Sequence, residues 1–177
     1  MNFRKRFPSL AQLAPVYAVV VVILYSWSLL RFFWRLPSFL NYSTPGEIGV
    51  IFSYLTAIDF LESFIVITAP ILLSIVLPQK WFHDQFAAKG VLLVSMGLGY
   101  LAYISTRIVP EAPFPYPLIN WSPVVLLLIL TLSLLLGQIK FLSRILDDLS
   151  DRFTIFLYIS IPISVVSVIV VLVRNIL

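Results

Sequence analysis

Long apolar stretches without a single charged side chain alternate along this chain with short polar segments. The uncharged stretches cover residues 7–30, 90–106, 112–139 and 153–173. A further stretch, residues 48–77, is interrupted only by Asp59 and Glu62. Each stretch contains at least 17 residues, which is close to the length that an α-helix needs to cross roughly 30 Å of hydrocarbon. The pattern predicts about five transmembrane helices, at residues 10–34, 45–77, 88–107, 122–146 and 152–175.

The same pattern fixes the fold class. Only α-helices and closed β-barrels satisfy the backbone amides inside a bilayer, and continuous apolar runs lack the alternation of barrel strands. We therefore predict an all-α polytopic membrane protein in which residues 1–177 form a single integral membrane domain. Two segments, 79–89 and 140–153, mix apolar and charged residues at helical spacing, which predicts interfacial helices on the cytoplasmic side.

Two local motifs predict where helices begin. Thr44, Pro45 and Glu47 form a capping box with proline at the first helical position, so the second helix should start at Pro45. The segment 110–123 contains five prolines, which favour an extended, rigid connector and predict no helix before Pro123.

Composition and charge indicate a membrane location and predict the orientation of the chain in the membrane. Apolar residues make up 60% of the 177 and charged residues only 11%, against roughly a quarter charged in ordinary soluble domains. With the N-terminus in the cytoplasm, the Lys and Arg residues divide eight inside to four outside, as the positive-inside rule favours. The net charge of +4 then reflects anchoring at the inner leaflet, so no nucleic-acid partner is predicted. We predict a multi-pass protein of a prokaryotic plasma membrane with an extracytoplasmic C-terminus.

The carboxylates of the second helix need an explanation, because charges are costly in hydrocarbon. The last 18 residues of that apolar run already cover about 27 Å, which places Asp59 at the outer boundary and Glu62 about one turn deeper. Arg31 and Arg35 end the first helix, and Arg107 ends the third, at a similar level. We predict an interhelical charge clamp in which Asp59 and Glu62 pair with Arg31, Arg35 or both.

A transport path is the alternative for the same residues. One face of the second helix carries a stripe of polar and small side chains with Glu62 at its edge, and such a stripe suits a proton or cation path. The stripe comprises Thr56, Asp59, Ser63, Pro70 and Ser74.

Small residues on three other helices predict close helix packing rather than a site. The single histidine, His83, lies beside Asp84 and is interpreted as an interfacial residue, because no nucleophile or second ligand is near it in sequence. Since cysteine is absent, disulfides and thiolate metal sites are excluded, and no cofactor or metal is predicted. The packing residues are Ser95, Gly99, Ala102, Ser133, Gly137, Ser160, Ser164 and Ser167.

The final segment, DRFTIFLYISIPISVVSVIVVLVRN at residues 151–175, predicts a last helix that ends outside with a basic residue. Together with the hydrophobic layout, it resembles the N-terminal five-helix membrane domain of bacterial lipoteichoic acid synthase and related sulfatase-type phosphotransferases. In that family an extracellular hydrolase-like domain carries the metal and the nucleophile. These 177 residues hold no such domain, so the resemblance transfers no active-site residue. It implies a membrane anchor with a lipid-facing groove.

No nucleotide-binding loop, metal cage or catalytic triad is present in the sequence, so we do not predict an enzyme. The prediction is a non-catalytic membrane scaffold, accessory subunit or anchoring module of a larger system. Its expected partners are the lipid bilayer and other membrane subunits or copies of itself. Two alternatives stay open: a small ion- or proton-coupled transporter that uses Asp59 and Glu62, and the membrane module of a lipid- or envelope-modifying enzyme.

Overall fold

A computed structural model describes residues 7–82, 84–108 and 116–176. All regular structure in these ranges is helical, and five helices, all but the short α3, are long and apolar enough to span a membrane. The predicted all-α polytopic fold is therefore confirmed. The helices are α1 (Leu10–Tyr42), α2 (Pro45–Val76), α3 (Gln79–Phe82), α4 (Phe86–Arg107), α5 (Tyr116–Leu136) and α6 (Lys140–Ile176).

Helix α1 lies at the centre of the bundle. It packs against α2, α4 and α6, whereas α5 packs mainly along α4. A tight turn joins α1 and α2 into an antiparallel hairpin, and Asn175 near the end of α6 donates a hydrogen bond to the hydroxyl of Tyr54 on α2 at 2.8 Å. The last turn of α6 is thus held against the N-terminal half of α2. We call the end of the bundle with the α1–α2 turn the hairpin end, and the opposite end the α3 end.

The main hydrophobic core fills the α3 half of the bundle. Phe82 and Phe86 are completely buried in it, with ring centroids 5.7 Å apart in an edge-to-face arrangement. The predicted interfacial helix at 79–89 is therefore only partly realised, because Trp81 is exposed while the two phenylalanines are part of the core. His83 lies outside the described residues. The buried core consists of Val16, Val19, Val20, Ile67, Phe82, Phe86, Val91, Val94 and Leu98.

The start of α2 agrees with its sequence motif. Helix α2 begins at Pro45, and both halves of the capping box form: the Thr44 hydroxyl accepts from the Glu47 amide at 3.4 Å, and Glu47 accepts from the Thr44 amide at 2.8 Å. At 32 residues, α2 is about 48 Å long, well over the roughly 30 Å of hydrocarbon.

Three other boundaries differ from the prediction. Helix α1 continues through Pro37 to Tyr42, eight residues beyond the predicted end at 34. Helix α5 starts at Tyr116 rather than near 122, because Pro117 falls in its first turn, where an amide has no intrahelical partner. It ends at Leu136 instead of 146, before a short turn that contains Gly137.

Helix α6 joins two elements that the sequence separates. The predicted interfacial helix at 140–153 and the last span form one continuous helix of 37 residues, about 55 Å long. No proline or glycine lies between residues 138 and 161, so nothing in the backbone chemistry ends the helix where the polar pattern becomes apolar.

Candidate functional site

Four of the five charged residues of the predicted clamp meet at the hairpin end. Arg31 and Arg35 of α1, and Asp59 and Glu62 of α2, line one cavity of about 550 Å³ between the two helices. We call it the charged cavity. The side-chain bond between Ser28 and Asp59 sets the relative level of the two helices here. Asp59 lies about 26 Å along α2 from its end at Val76.

The four charges do not pair with one another. Within the described chain, no carboxylate oxygen of Asp59 or Glu62 lies within ion-pair distance of a guanidinium. Arg31 instead places its guanidinium over the ring of Trp27, 5.2 Å from the centroid. Helical side chains lean toward the N-terminus, so Arg31 reaches back along α1 rather than across to α2. The structure therefore brings the clamp residues together without forming the clamp.

Arg107, the fifth charged candidate, lies elsewhere. It ends α4, with its guanidinium 5.2 Å from the centroid of the Tyr103 ring on the same helix. It lines neither the charged cavity nor the cavity beside it.

Asp59 is the most unusual side chain of the site. It is only 4% exposed, and one of its carboxylate oxygens, Oδ1, accepts a hydrogen bond from the Ser28 hydroxyl at 2.6 Å. The other oxygen, Oδ2, is buried and has no hydrogen-bond partner among the described residues. A buried carboxylate oxygen without a partner carries a large desolvation cost.

We expect Asp59→Asn to raise the free energy of unfolding in detergent micelles by about 1 kcal/mol or more. The amide oxygen can keep the Ser28 bond. The substitution also removes the charge of a carboxylate whose second oxygen, Oδ2, has no hydrogen-bond partner among the described residues. Denaturation by increasing SDS fraction measures the change. Glu62→Gln is the matched control, because Glu62 is exposed and its substitution should leave stability nearly unchanged. A clear loss of stability in Asp59→Asn would contradict this account.

A tyrosine hydroxyl connects three helices beside Asp59. Tyr25 of α1 contacts the hydroxyl of Ser164 on α6 and lies 3.5 Å from the carbonyl oxygen of Thr56 on α2. The Ser164 hydroxyl also donates to the Ser160 carbonyl at 2.6 Å, and either hydroxyl can be the donor between Tyr25 and Ser164. This contact joins α6 to the α1–α2 pair.

A second cavity lies next to the charged cavity. It has a volume of about 810 Å³, lies between α1, α2 and α4, and is lined mostly by apolar side chains. Trp27 and Glu62 line both cavities. We call this second space the apolar cavity, and the two cavities together the groove.

One predicted packing face lines the groove instead of packing. Ser95, Gly99 and Ala102 of α4 all border the apolar cavity, and a Cβ atom placed on Gly99 would have no atom within 4 Å. The prediction that these small residues bring helices together is therefore not met on α4. The physical reason is that α4 packs mainly on α1, α5 and α6 and has little contact with α2.

The small residues of α5 and α6 do lie at helix contacts. Ser133, Gly137, Ser164 and Ser167 are buried, and a Cβ atom on Gly137 would overlap the Lys89 side chain of α4. Ser160 is half-buried, with a hydroxyl that has no partner in the described chain.

A third cavity, which we call the α5 cavity, adjoins the apolar cavity and shares Val66, Leu98 and Leu101 with it. It has a volume of about 530 Å³ between α2, α4 and α5, and its walls are almost entirely apolar, including Gly97 of α4. Among the described residues, no group of three His, Asp or Glu side chains is close enough to hold a metal ion.

Comparison with known proteins does not assign a function to this site. No family model matches the chain, and neither a curated protein nor a solved structure is significantly similar to it. The resemblance to the membrane domain of lipoteichoic acid synthase thus stays a prediction, and the function must be argued from the groove.

Proposed function

We propose that the chain is a non-catalytic membrane module, an accessory or anchoring subunit of a larger membrane or envelope system, and that its groove holds a lipid. The observation that carries the proposal is a charged cavity without internal ion pairs, next to an apolar cavity of about 810 Å³ that shares Trp27 and Glu62 with it. Both volumes fall within the range of about 300 to 1,000 Å³ that is typical of ligand sites.

The chemistry of the groove fits an amphipathic molecule. Two guanidinium groups that have no carboxylate partner among the described residues can bind an anionic headgroup through paired hydrogen bonds. The apolar walls accept hydrocarbon without a desolvation cost to polar groups. A lipid bound in this way would give the module a means to present or position a membrane component for its partner.

The test compares two substitutions on the same helix. Gly99 lines the apolar cavity and Gly97 lines the α5 cavity, and both have open space where a side chain would begin. We expect Gly99→Phe to lower the fraction of purified chain that retains a lipid, measured by native mass spectrometry, at least about tenfold. Gly97→Phe should leave that fraction unchanged. Equal retention in both variants would overturn the proposal.

Association with another membrane protein is the second half of the proposal. The expected result is a stable complex when the chain is purified from its own membrane in mild detergent. Recovery of the chain without any protein partner, under conditions that preserve known complexes of that membrane, would contradict an accessory role.

Ion-coupled transport is the second candidate, and the unpaired Oδ2 of Asp59 is the observation that favours it. For this candidate, the purified chain in liposomes should show ion-dependent uptake, and the combined Asp59→Asn and Glu62→Gln variant should assemble normally but lose the coupling. We further propose that the chain resides in a prokaryotic plasma membrane, with its N-terminus in the cytoplasm and the groove opening near the outer surface.

A further inference from the structure

The α5 cavity is a trough that opens toward the lipid. Its floor is α4 between Leu93 and Leu101, a length of about 12 Å. Its two walls are α2 and α5, which make almost no contact with each other. Ala69 of α2 and Leu127 of α5 line the trough and are exposed, so another chain in the membrane can reach it from the side.

The floor of the trough has room for the side chains of a further helix. A Cβ atom placed on Gly97 has no atom within 4 Å, and Ala69 on the α2 wall adds a single methyl group. Small residues let helix backbones approach closely, and such packing drives helix association in lipid, where apolarity alone gives no preference. The residues that line the trough are all apolar, so they fit a helix that carries no charge at this depth.

Helix α5 forms a ridge directly beside this trough. It packs mainly along α4, and the residues that it buries are Ile129 and Ser133. Leu126 and Leu127 lie on its trough side with 48% and 63% of their surfaces exposed. One face of the protein therefore carries an apolar ridge and an apolar trough side by side.

The ridge and the open floor lie at the same depth. A Cβ atom on Gly137 of α5 would overlap the side chain of Lys89 on α4, so these two residues are level with each other. Gly97 lies eight residues from Lys89, about 12 Å along α4, and Leu127 lies ten residues from Gly137, about 15 Å along α5 in the same direction. Leu127 is therefore within about one turn of the level of Gly97.

We infer that the chain forms a symmetric dimer in the membrane, in which α5 of each copy lies in the α5 cavity of the other. Two copies with the same orientation in the membrane are related by a two-fold axis along the membrane normal, so α5 has the same depth in both. Because the ridge and the trough are adjacent, one such rotation places both ridges in both troughs and closes the assembly. Leu127 of one copy then fills the space above Gly97 of the other. The inference goes beyond the proposed lipid-holding role, because the α5 cavity is not part of the groove.

The first experiment measures dimerisation and lipid retention together. Native mass spectrometry of the full chain, over a series of protein-to-detergent ratios, gives the dimer dissociation constant and the bound lipid in the same spectra. We expect the native chain to dimerise, and Gly97→Phe to raise the dissociation constant at least about tenfold while the lipid is retained. Leu127→Ala changes the ridge instead of the trough and should raise the constant at least about threefold, with unchanged helix content by circular dichroism. Gly99→Phe should keep the dimer and lose the lipid.

Cross-linking tests the contact itself. The sequence contains no cysteine, so each introduced thiol gives an unambiguous product. Chains with Gly97→Cys and differently tagged chains with Leu127→Cys, expressed in one membrane, should form a disulfide between the two tags on mild oxidation. Ile169→Cys is the matched control, because Ile169 is an exposed apolar residue of α6 that lines none of the three cavities. It should not cross-link to Gly97→Cys.

Three results would overturn the dimer. A native chain that stays monomeric at every protein-to-detergent ratio removes it directly, and a lipid lost from that monomer in Gly97→Phe would assign the trough to lipid. A dimer that both Gly97→Phe and Leu127→Ala leave intact would place the interface elsewhere. A complex with a different protein that Gly97→Phe abolishes, in a chain that does not self-associate, would assign the trough to a helix of that protein. The lipid site is tested separately by Gly99→Phe, so the dimer and the proposed function can fail independently.

Discussion

Replacing Lys89 with Met is expected to lower the free energy of unfolding in micelles by about 2 to 3 kcal/mol. The Lys89 side chain is 1% exposed, and its ammonium group donates to the carbonyl oxygens of Trp81 at 3.0 Å and Asp84 at 2.6 Å. These bonds hold the segment between α3 and α4, where Gln85 adopts a left-handed conformation with φ of 64°. Methionine keeps the apolar stem but leaves both carbonyls without this donor.

The control for this prediction is Lys140→Met. Lys140 begins α6 and is exposed, so its loss should change stability by no more than about 0.5 kcal/mol. SDS denaturation of both variants, followed by circular dichroism, gives the comparison. If the two variants unfold alike, the ammonium of Lys89 contributes nothing net, and its burial reflects only the packing of its stem.

Hydrophobic run length was sufficient to predict the fold, because a bilayer leaves helices as the way to satisfy the backbone over five long apolar stretches. Local chemistry predicted one boundary correctly and another wrongly, since the prolines of residues 110–123 did not delay the start of α5 to Pro123. The capping box of Thr44 and Glu47 placed the start of α2 at the observed residue. The end of α5 had no such signal, since Gly137 and Gln138 lie inside an uncharged run that continues to residue 139.

The candidate site could be predicted from the sequence only in part. Helix length and charge position predicted that Arg31, Arg35, Asp59 and Glu62 would meet, and they line one cavity. Pairing depends on side-chain direction, which sequence spacing does not give. Asp59 faces α1 and bonds to Ser28, an uncharged residue one turn before Arg31. The apolar cavity lies where α2 and α4 make little contact, and no sequence pattern predicts which helices make little contact.

The two ends of the bundle differ in packing, and this difference agrees with a binding role for the hairpin end. Near α3, aromatic rings and a buried lysine fill much of the space between helices, and a cavity of only about 290 Å³ lies beside Trp81. Toward the hairpin end, the space between α1, α2 and α4 is open and bordered by small residues such as Gly99. A closely packed end can hold the helices in register while the open end admits a ligand without unfolding.

The packed end gives the last prediction. Gly137→Ala should lower the free energy of unfolding by about 2 kcal/mol, within the usual cost of overpacking. The new methyl group would overlap the Cγ atom of Lys89 and would lie 2.9 Å from the carbonyl oxygen of Ser133. Neither atom can move easily, because Lys89 is fixed by two hydrogen bonds and the Ser133 carbonyl belongs to the backbone of α5.

A matched control and a double variant isolate the cause. Gly97→Ala also adds one methyl group, but into open space within α4, so it should be neutral or stabilising by up to about 1 kcal/mol through helix propensity. In a Lys89→Ala background the Cγ atom is absent, and Gly137→Ala should cost measurably less than in the native chain, a coupling of the kind that contacting residues show. Strictly additive losses would mean that the α4–α5 contact is set elsewhere, and that Gly137 serves only the turn between α5 and α6.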